Sequence, residues 1–326
     1  MKKKISLILS LVLLVLAFAG CGSSQTTAAN GSGVKVLFLV SSEGDTFRDS
    51  LVAAAQSAAE EKGITMDVLY AEDKAEVQLE QMKEAESQGY DAIICRPVNA
   101  EMGLQLERAA GKLPVVFVNN CPDTDRLEPD KYVYVGSNEE VAATYQADYV
   151  LDQLADKDEL NVVIIKGEAS HSATKTRTQT VKNILNDSGK KINYVFIDNA
   201  DWSTDLAEQY YNIFLATGGT ADCIVSNNDS MAIGVIDAYK DNNLDPADQL
   251  ILGIDATTDG CQAIKDGEMS FTVCQSAKGQ GAAAVDVAIL LGSGKSISGY
   301  ALTDPDGYEV WVDYEKVDAS NVDDYM

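Results

Sequence analysis

The sequence is poor in the residues that most often do chemistry. It holds a single His, so a zinc site built on two or more imidazoles is excluded. Its six Cys include no CxxC pair, which removes the spacing of thiolate metal sites and of redox motifs. Lys and Arg number 25 against 51 Asp and Glu, a formal charge of −26 over 326 residues. A chain so acidic lacks the basic face that phosphate backbones require, and nucleic acid is not an expected partner. Aromatic residues make up only 7% while hydrophobic residues make up 46%, a balance that builds an ordinary globular core and argues against disorder. No apolar run reaches the ~20 residues of a membrane-spanning helix. The length suits about two domains.

What is present begins with an address. Met1-Lys2-Lys3-Lys4 precedes an apolar stretch from Ile5 to Phe18. A charged start, a short apolar middle and small residues after it describe an export signal, residues 1–20. The following Phe18-Ala19-Gly20-Cys21-Gly22-Ser23-Ser24 resembles the lipobox of bacterial lipoproteins, with Phe18 where that pattern usually has Leu. The resemblance implies cleavage before Cys21 and lipidation of Cys21. Loss of the three leading Lys then takes the formal charge from −26 to −29. Residues 22–33, all Gly, Ser, Gln, Thr, Ala or Asn, cannot build a core, and with Cys21 they are expected to form a flexible tether roughly 20 Å in span. The expected product is a body outside the cytoplasm, anchored to the cell membrane through its N-terminal lipid.

From Val34 onward short β-rich runs alternate with longer amphipathic stretches. The runs are Val34–Val40, Thr65–Tyr70, Asp91–Cys95, Pro114–Asn119, Asn161–Lys166, Ile192–Asp198, Asp222–Asn227, Leu250–Asp255 and Ser270–Gln275. Several are apolar on consecutive residues, as Val115-Val116-Phe117-Val118 is. Strands covered on both faces read that way, which predicts parallel sheets between helices. Helical patterns fall at Arg48–Lys62, Glu76–Gln88, Asn138–Leu154 and Ser230–Asp241. The alternation predicts an α/β doubly wound architecture, and so many strands suit two lobes better than one wide sheet. Tyr308–Val312, strand-like and late in the chain, is read as a return to the other lobe.

Ligands of open α/β sheets bind beyond the carboxyl ends of the strands. Those positions carry Asp45 and Phe47, Asn119, His171 with Arg177 further on, Trp202, Asn228, Asp255 and Gln275. Carboxylates, amides, one imidazole, one guanidinium and two aromatics thus converge on one edge. The set matches a sugar: each hydroxyl donates once and accepts twice, which suits Asp, Arg, Asn and Gln. The flat C–H faces of the ring suit Phe47 and Trp202.

These stretches carry a resemblance over essentially all of residues 34–318. They are Leu113-Pro114-Val115-Val116-Phe117-Val118-Asn119, Gly167-Glu168 through His171 to Arg177, Asp201-Trp202, Asn227-Asn228-Asp229-Ser230-Met231-Ala232 and Gly253-Ile254-Asp255. In them the chain resembles sugar-binding proteins of the ribose/galactose class of type I periplasmic binding proteins, and most of all the galactose/glucose-binding ones. The resemblance implies two doubly wound parallel-sheet lobes joined by a multi-strand hinge. Residues 34–136 plus 276–308 form the first lobe, and residues 137–275 plus 309–326 the second. It implies that Asp45, Asn119, His171, Arg177, Asn228 and Asp255 hydrogen-bond a hexose, that Phe47 and Trp202 sandwich it, and that Gln275 supplies an amide. A family aspartate corresponds to Ala173, and the calcium loop that would fall near Asp156–Asn161 is too short and lacks its ligand pattern.

The expected function is therefore capture of a monosaccharide, galactose- or glucose-like, and delivery to an ABC permease with a separate ATPase. Ribose, another pentose or a cyclic polyol is the alternative ligand, and presentation to a signalling receptor the alternative role. The protein is expected to be a monomer, to need no cofactor or metal, and not to be an enzyme. Three motif echoes fail. Gly292–Ser296 puts Ile289 at the first Gly of a phosphate loop. Asp241–Asp245 is followed by Pro246 where a calcium loop needs Gly. No GxGxxG follows the first strand. The odd set Cys95, Cys121, Cys223, Cys261 and Cys274 reads as buried free thiols.

Overall fold

A computed structural model describes residues 33–326; the export signal, Cys21 and the rest of the tether lie outside the described residues. The chain first lays down five strands in one sheet: β1 (Lys35–Val40), β2 (Thr65–Tyr70), β3 (Ala92–Cys95), β4 (Val115–Val118) and β5 (Tyr132–Gly136). It then lays five in a second: β6 (Glu159–Lys166), β7 (Lys191–Asn199), β8 (Cys223–Ser226), β9 (Leu250–Leu252) and β10 (Phe271–Cys274). It returns to the first sheet with β11 (Glu309–Trp311) and to the second with β12 (Glu315–Asp318). The spatial orders are β11-β5-β4-β3-β1-β2 and β12-β10-β9-β8-β6-β7. All pairs are parallel except β10 with β12.

The burial follows the pattern in the sequence. Every residue of β3, β4 and β8 is buried, as strands between two helix layers must be. Helices α1 (Thr46–Lys62) and α9 (Ala277–Gly292) cover one face of the first sheet, where Phe47, Leu51 and Ile289 meet Phe38 and Val116. On its other face α2 (Ala75–Glu84) and α3 (Gly103–Ala110) bring Met82 and Leu106 onto Leu37 and Ile93. The second sheet is likewise packed between α4 (Glu139–Gln153) with α5 (Ser172–Asp187) and α6 (Thr204–Ala216) with α7 (Asp229–Asp241) and α8 (Thr258–Lys265). The α/β fold with two parallel-sheet lobes is thus as expected.

One boundary differs. Glu309, Val310 and Trp311 pair with Tyr134, Val135 and Gly136 of β5, so residues 309–311 stay with the first sheet and not with the second lobe. The return falls a few residues later, through Val312–Tyr314 into β12. A strand of three residues carries no local sign of which sheet it will pair with. The lobes are therefore joined at three places: after β5, after β10 and after β11. These crossings are tied together, since Val312 N donates to Gly136 O at 2.8 Å and Gln280 Nε2 to Ser137 Oγ at 2.9 Å.

Candidate binding site

The carboxyl ends of both sheets face one another across a small, tightly lined cavity. Asp45, Phe47, Asn119, His171, Arg177, Trp202, Asn228, Asp255 and Gln275 all line it, together with Arg96 and Ala173. The nine residues expected from the strand ends are therefore brought together.

Several of these side chains hold the local fold and the cavity wall at once. Asp45 is the N-cap of α1, with Oδ1 accepting from Arg48 N at 2.7 Å and its second oxygen left over. Asn228 caps α7 in the same way, accepting from Met231 N at 3.0 Å, so its amide nitrogen is free of that task. His171 caps α5 through Nδ1, which accepts from Ala173 N at 3.1 Å. The ring proton then sits on Nε2, which faces Asn119 Oδ1 at 3.2 Å across the two lobes. Burial, aided by the charges of Arg96, Arg177 and Arg48, holds His171 well below its ordinary pKa. It is a neutral donor.

Trp202 lies edge-on to His171 with ring centroids 5.1 Å apart and against the backbone of Gly167, where any Cβ would overlap its indole. Left-handed backbone gathers here: Asn119 has φ 60°, Trp202 65°, Asp255 124° and Ala256 50°. Such conformations cost of order 1–3 kcal/mol each and persist where surrounding structure enforces them. Behind Asp255, the fully buried Asp229 accepts from Thr257 N at 2.8 Å and from Thr272 Oγ1 at 2.6 Å. Burial pushes the Asp229 carboxyl up to about 7 despite those bonds. Asp255 is raised well above its ordinary value by burial, with Asp229, Asp45 and Glu139 adding and Arg177 opposing.

Sequence reasoning missed a second tier. Arg96 follows β3 just as Asn119 follows β4, and reading one residue past Cys95 would have found it. Its Nε donates to Asn119 Oδ1 at 3.3 Å and its Nη1 to Ser41 Oγ at 2.7 Å. Its Nη2 lies 3.5 Å from Glu168 Oε2 of the second lobe. Arg177 is met by Glu139 (Nε to Oε2, 2.5 Å), Asn227 O (2.7 Å), Gln275 Oε1 (3.0 Å) and Tyr314 Oη (2.9 Å). Glu139, Gln275 and Tyr314 each belong to a different crossing, so one guanidinium is bonded to all three. Burial alone would lower Arg177, but Glu139 and the neighbouring acidic groups carry it above its ordinary value. Among the described residues no cluster of His, Cys, Asp or Glu is placed to hold a metal ion, and the five Cys are unpaired.

Two α/β lobes joined by three crossings, with polar and aromatic side chains of both lobes around one small cavity, define a solute-binding protein. A model of the periplasmic binding protein domain matches residues 36–296. A putative rhizopine-binding protein of Rhizobium meliloti is 31% identical over 241 residues, 73% of this chain and 74% of that protein. The D-galactose/methyl-galactoside binding periplasmic protein of Haemophilus influenzae is 29% identical over 225 residues, 66% of this chain and 67% of that one. The solved structure of an ABC transporter solute binding protein from Bacillus halodurans, with bound myo-inositol, is 26% identical and covers 92% of this chain and 99% of its own, with a TM-score of 0.79. The chain belongs to the periplasmic binding protein family. It is a binding protein and not an enzyme.

Proposed function

We propose that the protein captures one neutral sugar or polyol outside the cytoplasm and presents it to an ABC importer, working as a monomer tethered through lipidated Cys21. The carrying observation is the single cavity in which Asp45, Asn119, His171, Asn228 and Asp255 surround a volume bounded by Phe47 and Trp202. Acceptors and donors alternate there as a polyhydroxylated ring needs, and the aromatics offer flat apolar surface. Gln275 Nε2 and Trp202 Nε1 are buried without a hydrogen-bond partner, a state that costs about 1–3 kcal/mol per group until a ligand oxygen relieves it.

A six-membered ring is the first reading: an aldohexose such as galactose or glucose. A cyclic polyol of the inositol type is the second, favoured by the bound myo-inositol of the Bacillus halodurans protein. Titration calorimetry against galactose, glucose, myo-inositol, ribose and xylose separates them. One ring should bind with 1:1 stoichiometry. At 100 times its Kd it should stabilise the fold by about 2.7 kcal/mol. No heat with any of the five would end this reading.

A further inference from the structure

We propose that a groove beside the crossings is a second ligand site, taking an organic ammonium cation that bridges the two lobes. This groove shares no lining residue with the cavity at the strand ends. The first lobe gives it Cys121, Asp123, Glu309 and Trp311, and the second gives it Glu139 and Glu140 from the start of α4. Its lining also bonds across the lobes: Cys121 N donates to Ser172 Oγ at 2.9 Å and Ala100 N to Ser170 O at 3.2 Å. Its shape therefore depends on the lobes being closed.

The charge along the groove is one-sided. Asp123, Glu140 and Glu309 make no ion pair among the described residues. Lys175, the only cation of the lining, is already met by Glu101 at 3.1 Å. The positive end of α4 offsets part of this charge, but one helix terminus does not match three acids. Glu139 supplies the observation that points to a ligand. It is 8% exposed, and its Oε2 accepts from both Arg177 Nε and Tyr314 Oη. Its Oε1 is buried without a hydrogen-bond partner. A carboxylate oxygen left so is costly, and an N–H from a bound ammonium would relieve it. Glu309 is raised by burial, with Asp304 and Asp306 adding, a balance that a bound cation would reverse. Among the described residues no three such groups stand close enough to hold one metal ion, so the fitting cation is an extended organic one. Trp311, edge-on to Tyr134 with ring centroids 5.9 Å apart, adds indole surface that favours an alkylammonium.

The test is calorimetry of the mature protein with 1,4-diaminobutane, with magnesium chloride at equal ionic strength as the control for diffuse counterions. One diamine should bind per chain, and magnesium should displace little of it. Glu309→Gln should weaken the diamine about five- to tenfold, and Trp311→Leu about two- to fivefold. Asp241→Asn, in the separate acidic group of Asp205, Glu208, Asp237 and Asp241, should change its affinity less than about twofold. No saturable heat, an equal loss with Asp241→Asn, or full displacement by magnesium would overturn the site, because so acidic a chain gathers any cation loosely. If Glu309→Gln fails to fold, Glu140→Gln takes its place and must weaken the diamine in the same way. Saturating diamine should also tighten the ring bound in the cavity by about fivefold or more, and an unchanged ring affinity would overturn the bridging. That readout alone rests on the sugar or polyol reading: a protein that binds the diamine but no ring would overturn that reading and uphold the site.

Discussion

Gly167→Ala tests whether the indole of Trp202 forms the wall that holds the ligand. A Cβ at Gly167 would overlap Cε2, Cζ2 and Cη2 of Trp202, and carbon atoms need about 3.5–4 Å. The ring must retreat by roughly 1 Å or more. It packs edge-on to His171, which is fixed at both ring nitrogens by Ala173 N and Asn119, so the indole has to leave its place on the cavity wall. Gly167 has no positive φ, and Ala carries no backbone strain of its own there. The expected loss of ligand affinity is about ten- to thirtyfold, roughly 1.4–2 kcal/mol, with about 1–3 kcal/mol of fold stability lost to overpacking. Trp202→Ala should weaken binding tenfold or more. Adding Gly167→Ala to Trp202→Ala should then cost less than about twofold, because nothing remains to be displaced. Calorimetry of the four proteins, with thermal melts as the folding control, gives the cycle. Equal effects of Gly167→Ala with and without the indole would refute the reasoning.

Other perturbations follow from the same contacts. Glu139→Gln leaves buried Arg177 without its carboxylate and should destabilise by about 3–5 kcal/mol, read in urea melts; a loss below 1 kcal/mol would show the pair to be dispensable. Burial raises Asp229 from 3.8 to about 7, so its stabilising contribution is fully present below pH 3.8 and is lost as pH rises through about 7. Relative to Asp229→Asn, the wild type should lose a few kcal/mol across that window, on the order of 1.4 per pKa unit, and parallel melting curves would refute it. Cys21→Ala should move the protein from the membrane fraction to the soluble one, and continued partition with membranes would dismiss the anchor.

The site was legible because a parallel strand delivers its next residue to the ligand edge, a rule that needs only the strand's end. Asn119, Asn228 and Asp255 were found that way without any knowledge of pairing. What was not legible is non-local. Glu139 reads as an ordinary acid in the first turn of α4; its bonds to Arg177 and to Tyr314 join residues far apart in sequence. Arg96 obeyed the strand-end rule but stood after a strand whose end showed only Cys95. The sheet chosen by Glu309–Trp311 was beyond reach for the same reason, since pairing is a tertiary property and the strand is short. Trp202 could be proposed as an aromatic wall, yet its left-handed backbone and its seat on Gly167 emerge only when both loops are in place.

The direct contacts between lobes also bear on whether closure waits for ligand. Among the described residues they include the His171–Asn119 bond, Ser172 N to Asn120 Oδ1 at 3.0 Å, Cys121 N to Ser172 Oγ at 2.9 Å, Ala100 N to Ser170 O at 3.2 Å, the exposed Lys175–Glu101 pair at 3.1 Å and the long Arg96–Glu168 pair. Each replaces bonds to water and nets only about 0.5–1.5 kcal/mol. Against them stands the burial of His171 and Asp255, both shifted toward their neutral forms, and of unpartnered Gln275 Nε2 and Trp202 Nε1. These terms oppose one another, and closure is set by their difference. On the proposed function, a ring that touched Asp45, Phe47 and Asn119 on one side and Asn228 and Asp255 on the other would bind the closed form far better than either lobe alone, and would shift the equilibrium by that difference. Small-angle scattering should therefore show a smaller radius of gyration with the bound ring than without it. A radius that stays the same while calorimetry reports saturation would mean that the lobes are held together by their own contacts, and that the ligand enters a cavity already shut.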